Sequence, residues 1–301
     1  MGQEKVTLSP TEWVDPAGRD FDRLSVREQL NWLLESQAHA VKAVQNNLEA
    51  IASAVECAAN RLRGSGGRLI YAGAGSSIRI GVQDGVELVP TFGWPLERVL
   101  YLIAGGRAAL AASVEGAEDD AFDAISQVEA VAVNNQDVVI GIAASGSTPF
   151  TISVLTSSRS LGALTIGVTS NPQGMIACSA EHALVTETGA EVLAGSTRLG
   201  AGTAQKALLN AFSTALMTQL GRVFGNEMIC VHATNAKLKD RQARILAGHV
   251  QSITCEEAFQ LLAGLGWDLR IGLLVASGCS EKEARVALLS DQPFRDLFTS
   301  R

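Results

Sequence analysis

Apolar residues along this chain change their period twice. From Ser25 to Arg63 there is no Gly or Pro, and Leu30, Leu33, Leu34, Val41, Val44, Leu48, Ile51 and Val55 recur at helical spacing. One or two long helices are expected there. After Gly64-Ser65-Gly66-Gly67 the pattern becomes short β-branched runs separated by helical stretches, as strands alternating with crossover helices require. Strands are expected at Arg68–Ala72, Val99–Ile103, Val138–Ala143, Leu164–Val168 and, more weakly marked, Ala183–Thr186. Five such strands with helices on both faces make an α/β fold with a doubly wound, flavodoxin-like parallel sheet. Helical spacing then returns from Gly202 to Gly221 and from about Thr234 to Ala247. The tail from Cys255 to Arg301 reads as three short helices, broken near Gly264-Leu265-Gly266 and Ser277-Gly278. The expected organisation is an N-terminal arm with helices over 1–63, an α/β domain over 64–247, and a small helical appendage over 248–301.

Composition agrees with a large buried core, since 47% of the 301 residues are hydrophobic and 18% charged. Charge narrows the partners. The formal net charge is -7 and no Lys/Arg cluster is present, which argues against nucleic acid. An anionic metabolite would have to be held by backbone N–H groups, hydroxyls and helix N-termini. The cysteines, Cys57, Cys178, Cys230, Cys255 and Cys279, are odd in number and never form C-x-x-C, so reduced core thiols are expected. His39, His182, His232 and His249 share no metal-binding spacing. The N-terminal stretch MGQEKVTLSPTEW has no apolar core, and no run of apolar residues is long enough to span a bilayer. A cytoplasmic protein without membrane association is expected.

In a doubly wound sheet, ligands sit at the carboxyl ends of the strands. Two loops at that edge share one chemistry: Gly73-Ala74-Gly75-Ser76-Ser77 after the first strand, and Ala144-Ser145-Gly146-Ser147-Thr148-Pro149 after the third. Glycines let the backbone turn its N–H groups inward, the hydroxyls add donors, and the following helix directs its positive end at an anion. A dinucleotide fingerprint is disfavoured because its third glycine position is Ile78, and a nucleotide P-loop because G-x-x-x-x-G-K-[ST] is missing. A monophosphate cradle remains, with simple tight turns as the alternative.

The segments RLIYAGAGSSIRIGVQDGVELVPTFG, IAGG, VEGAED, IAASGSTPF, GSTRLGAGTAQK and ATNAKL follow one another in this order. Together they resemble the N-acetylmuramic acid 6-phosphate etherase family and, more distantly, the glucokinase regulatory protein, both built on the sugar isomerase (SIS) fold. The resemblance runs from roughly Thr11 to the C-terminus. It implies a homodimeric lyase that cleaves the D-lactyl ether of a sugar phosphate in cell-wall recycling, without metal or organic cofactor. It further implies Glu87, in Asp84-Gly85-Val86-Glu87, as catalytic acid and Glu118, in Glu115-Gly116-Ala117-Glu118-Asp119, as base. Read by themselves, both are ordinary surface carboxylates. Gly75, Ser76, Ser77, Ser145, Gly146, Ser147 and Thr148 would hold the phosphate, and Ser196, Thr197 and Thr203 would donate to the sugar. Lys206 and Arg198 are candidates for a phosphate contact or for structural ion pairs.

Several positions depart from the family's usual pattern. Ile78 replaces a glycine, Ser147 an Arg, Gly200 a Lys and Val86 a Ser, while Thr11-Glu12-Trp13-Val14-Asp15 lacks the usual final Asn. With two positive charges gone, a sensor that binds sugar phosphate without reacting is the first alternative. The second is an aldose–ketose phosphosugar isomerase, which abstracts the same C2 proton.

Overall fold

The computed structural model describes residues 9–64, 66–289 and 294–299. The first eight residues of the N-terminal arm, Ser65 of the expected glycine-rich break, and parts of the C-terminal tail lie outside the described residues. The chain forms two compact units. One runs to Gly85 and resumes from Glu97 to Ser213; the other comprises Val86–Leu96 and the chain from Thr214 onward.

In the first unit, the Gly-free stretch forms two helices, α1 (Val26–Gln45) and α2 (Leu48–Leu62). A capping box of Ser25 and Glu28 starts α1. The Asn47 side-chain amide donates to the Ala43 carbonyl at 3.0 Å, taking up one of the orphan acceptors where α1 ends. There follow β1 (Leu69–Gly73), α3 (Gly75–Phe92), β2 (Val99–Ile103), α4 (Ala121–Ala130), β3 (Val138–Ile142), α5 (Pro149–Ser160), β4 (Leu164–Thr169), α6 (Met175–Ser179), β5 (His182–Val185) and α7 (Gly200–Gln219). The sheet has five strands in the order β2-β1-β3-β4-β5, and all neighbours are parallel. The expected doubly wound α/β architecture is present, with strand ends shifted by one residue at most.

Alternation along the strands divides the core into two layers. Ile70 and Ala72 of β1 pack with Ala124 and Val128 of α4 and Phe150 and Val154 of α5. Tyr71 points the other way. Its hydroxyl donates to the Asp84 carboxylate of α3 at 2.8 Å. That carboxylate also accepts from Asn210 Nδ2 at 2.6 Å and Ser213 Oγ at 3.1 Å, so one buried group joins β1, α3 and α7. Close seating of α3 depends on Gly85, where a Cβ would lie 2.6 Å from the Tyr101 hydroxyl. At the amino edge of the sheet, buried Asp137 accepts from the Arg68 backbone N–H at 3.0 Å and from its guanidinium at 2.6 Å, fixing the starts of β1 and β3 together.

In the second unit, a short antiparallel pair, β6 (Val223–Phe224) and β7 (Glu227–Met228), precedes α8 (Ala236–His249), α9 (Cys255–Gly264), α10 (Leu269–Ala276), α11 (Glu281–Ala287) and α12 (Phe294–Thr299). From Cys255 onward there are thus four helices among the described residues, one more than expected. The additional one is α12, because α11, opened by a capping box of Ser280 and Glu283, starts just after the expected break at Ser277-Gly278. The β6–β7 pair was not anticipated because each strand is only two residues long, too short to show alternation. Phe224, Leu246, Leu262, Leu273, Leu274 and Phe294 share the core of this unit.

The thiols correct the expectation from composition. Cys230 and Cys279 are buried, but Cys178 and Cys255 are exposed. No single helix among the described residues is long and apolar enough to cross a membrane.

Burial holds the Asp84 carboxyl above the usual aspartate range, against the lowering effect of its hydrogen bonds to Tyr71, Asn210 and Ser213. The folded chain therefore keeps this proton at pH values where the unfolded chain has lost it. Stability from this site is fully present below the unfolded pKa and is lost as pH rises from about 4, the ordinary aspartate value. Urea midpoints of Asp84→Asn and the parent, followed upward from that pH, should show a shallower decline in the variant; parallel curves would refute the assignment.

Candidate functional site

The order β2-β1-β3 makes the gap between β1 and β3 the point where successive crossovers leave in opposite directions, which is where an open parallel sheet forms its ligand crevice. The two predicted loops flank that gap. Gly75, Ser76 and Ser77 form the first turn of α3, directly after β1. Ser145, Gly146, Ser147 and Thr148 lie between β3 and α5. Gly146 has φ +72°, and a Cβ there would approach Thr169 Oγ1 to 2.8 Å and Gly174 Cα to 2.9 Å, so glycine is required by conformation and by space. Ser145 Oγ lies 3.3 Å from both the backbone nitrogen and the hydroxyl of Ser147. Thr148 is the N-cap of α5 but makes no side-chain cap bond, and Pro149 follows as the first helical residue. The amino end of α5 is therefore open to an anion.

Ser77 differs from its neighbour in burial. It is buried, and its hydroxyl accepts from Gln205 Nε2 of α7 at 3.1 Å, tying the start of α3 to α7. Ser76 is half-buried. Ile78 is completely buried, so this departure from the family pattern fills core volume beside β1 and does not line the crevice.

The amino end of α7 differs from that of α5. Glu191, itself buried, accepts from the Gly200 and Ala201 N–H groups at 2.8 and 2.9 Å. A protein carboxylate thus occupies the position an anionic ligand would take. A Cβ on Gly200 would come within 3.2 Å of the Glu191 carboxylate. Ser196 and Thr197 lie in the loop leading to this helix, the Thr197 carbonyl accepting from the Gly202 N–H at 2.8 Å. The Thr203 hydroxyl donates to Gln37 of α1 at 3.0 Å. Glu191 also borders a cleft of about 690 Å³ formed with Asp15, Trp32, Glu35 and His39, and none of the predicted phosphate ligands lines it.

Glu87 is exposed on α3, one turn beyond Asp84. Glu118 is exposed in a 3-10 turn, Ala117–Asp119, within the loop from β2 to α4. Lys206 on α7 donates to Asn210 Oδ1, and Arg198 is exposed.

Ser170 and Asn171, directly after β4, were missed. Asn171 Nδ2 donates to the Ser145 carbonyl at 2.9 Å, supporting the second loop from behind. The Ser170 hydroxyl is buried without a hydrogen-bond partner among the described residues. The rule that found the first two loops, reading each strand's carboxyl end, extends to Thr169-Ser170-Asn171.

Two family models match the chain: the glucokinase regulatory protein N-terminal SIS domain over residues 49–159 and the SIS domain over 120–215. Among solved structures, a phosphoheptose isomerase from Francisella tularensis has the same fold with a TM-score of 0.50 at 18% identity, covering 64% of this chain and 98% of that one. Curated relatives are much nearer. The N-acetylmuramic acid 6-phosphate etherase of Deinococcus radiodurans is 43% identical over 91% of this chain and 90% of its own. Those of Rubrobacter xylanophilus and Mycolicibacterium smegmatis are 41% and 42% identical, each covering at least 91% of both chains. This chain belongs to the N-acetylmuramic acid 6-phosphate etherase family.

Proposed function

We propose that this protein cleaves the D-lactyl ether of N-acetylmuramic acid 6-phosphate, releasing D-lactate and N-acetylglucosamine 6-phosphate. The observation that carries this reading is the 43% identity to an etherase of that name over 91% of the chain. Ring opening exposes an aldehyde at C1, which acidifies the C2 hydrogen. Glu118 removes that proton while an acid, Glu87, protonates the departing lactyl oxygen at C3. Water then adds to C3 of the unsaturated aldehyde and C2 regains a proton. Proton transfers of this kind need no metal or organic cofactor. The amino ends of α3 and α5, with Ser76, Ser145, Ser147 and Thr148, cradle the phosphate; Ser196, Thr197 and Thr203 serve the sugar.

Distance along α3 constrains where the acid acts. Eleven residues separate Ser76 from Glu87, a rise of about 16 Å. Five bonds join phosphorus to C3 of the sugar and reach at most about 7 Å. A carboxylate so far down the helix serves the sugar of a second copy better than its own. On α1, Val26, Leu30, Leu34 and Val41 form an exposed apolar stripe, with Leu30 and Leu34 exposed by 54% and 66%. A homodimer covering that stripe satisfies both requirements.

Incubation with N-acetylmuramic acid 6-phosphate should release D-lactate, and Glu87→Gln or Glu118→Gln should each slow release by at least about 100-fold; a Glu87→Gln variant as active as the parent removes Glu87 from the mechanism. Refolding the two inactive variants together makes hybrid dimers. If each site combines Glu118 of one copy with Glu87 of the other, about a quarter of parental activity returns. No recovery places both carboxylates in one chain. Light scattering of the double variant Leu30→Asp, Leu34→Asp should give the mass of one chain; an unchanged dimer moves the interface elsewhere.

A further inference from the structure

The loop from β2 to α4 that carries Glu118 is fastened at its two ends by its own neighbours. Gln127 of α4 donates to the Ile103 carbonyl and accepts from the Ile103 N–H, both at 3.0 Å, where β2 ends. Asp120 caps α4 by accepting from the Asp123 N–H at 2.8 Å. Between these points the chain is exposed at Arg107 and Ala108, from Ala111 to Gly116, and again at Glu118 and Asp119. Its middle is held by a side chain from another element. Arg79 of α3 donates through Nη2 to the Ala109 carbonyl at 2.8 Å and to the Ala112 carbonyl at 3.4 Å, and through Nε to Ala109 at 3.2 Å.

We propose that Arg79 is a positioning residue for Glu118, which rests on the reading of Glu118 as the base. The chemistry of the guanidinium suits the task. It is always charged, rigid and planar, and its forked donors reach two carbonyls of one turn at once. Ammonium on a flexible stem has no such fork. Arg79 also sits one helical turn beyond Ser76, on the same side of α3. A single helix therefore presents a hydroxyl to the phosphate and sets the height of the loop whose carboxylate must reach C2. Misplacing a base by about 1 Å is enough to cost on the order of 100-fold in rate. The half-buried position of Arg79 keeps water from competing fully for its carbonyl partners.

Hydrogen exchange and kinetics on the full-length protein test this. In Arg79→Ala, amides over residues 107–119 should exchange faster while the strands keep their protection. The turnover number should fall about 10- to 100-fold with KM for the sugar phosphate nearly unchanged. Millimolar guanidinium ion should restore part of the loss, and Arg79→Lys should recover less than the parent because it lacks the fork. Unchanged exchange in the loop overturns the tether. Faster exchange with undiminished turnover, or a raised KM at constant turnover, overturns positioning and in the second case makes Arg79 a phosphate ligand. If Arg79→Ala does not fold, the same readouts are taken on Arg79→Lys. If Glu118→Gln is as active as the parent, the base assignment fails, and the exchange result still decides whether Arg79 holds the loop.

Discussion

A single buried carboxylate sets the seat of α3. Asp84 accepts from Tyr71 on β1 and from Asn210 and Ser213 on α7, and a carboxylate can only accept, so the three donors must all face it. This polarity propagates outward. Asn210 must present its amide nitrogen inward, which leaves its carbonyl oxygen free to receive Lys206. Burial of such a group is costly, as the raised pKa of Asp84 records. The adjoining tyrosines respond in kind: Tyr71 is pushed well above the usual range and Tyr101 to about 12, burial being the first cause and the Asp84 charge the second. What the arrangement fixes is the height and rotation of α3 above the sheet. Ser76, Arg79 and Glu87 all depend on that height.

Helix termini offer an acidic chain a way to hold the dianionic ligand of the proposed function. With a net charge of -7, long-range attraction is unfavourable, and the anion must be met by local dipoles. The amino end of α5 is left without a side-chain cap. At α7 the corresponding end is filled by Glu191. Under the proposed function, a terminus closed by the protein's own carboxylate leaves the β1–β3 gap as the place for phosphate. The loss of an Arg at position 147 and a Lys at position 200, relative to the family's usual pattern, is compatible with this economy. Position 200 faces a carboxylate already satisfied by two backbone donors.

Much of this was legible in the chain because it depends on local regularities. Short β-branched runs located all five strands of the parallel sheet, and the three central ones are buried along their whole length, as strands covered on both faces are. Gly and Ser immediately after two strands marked the candidate crevice, because a turn that directs N–H groups inward needs such residues. Features without a local signature were not legible. Nothing in Cys178 or Cys255 distinguishes an exposed cysteine from a buried one, and Ile78 read as an altered ligand position until packing placed it in the core. Ser76 and Ser77 are identical in type, yet Ser77 is buried and ties α3 to α7 while Ser76 is half-buried.

The sequence by itself determined the class of fold and the family and marked the candidate ligand edge of the sheet, since each is written in spacing and ordered motifs over short stretches. Only the tertiary structure decided which polar groups meet. The Arg79 fork on Ala109 and Ala112 spans some thirty positions, the Asp84–Asn210 bond 126 and the Gln37–Thr203 bond 166. Contacts at such separations arise from the way helices are laid across a twisted sheet, and hydrogen-bond geometry, which tolerates errors of only a few tenths of an ångström, is set at that level alone.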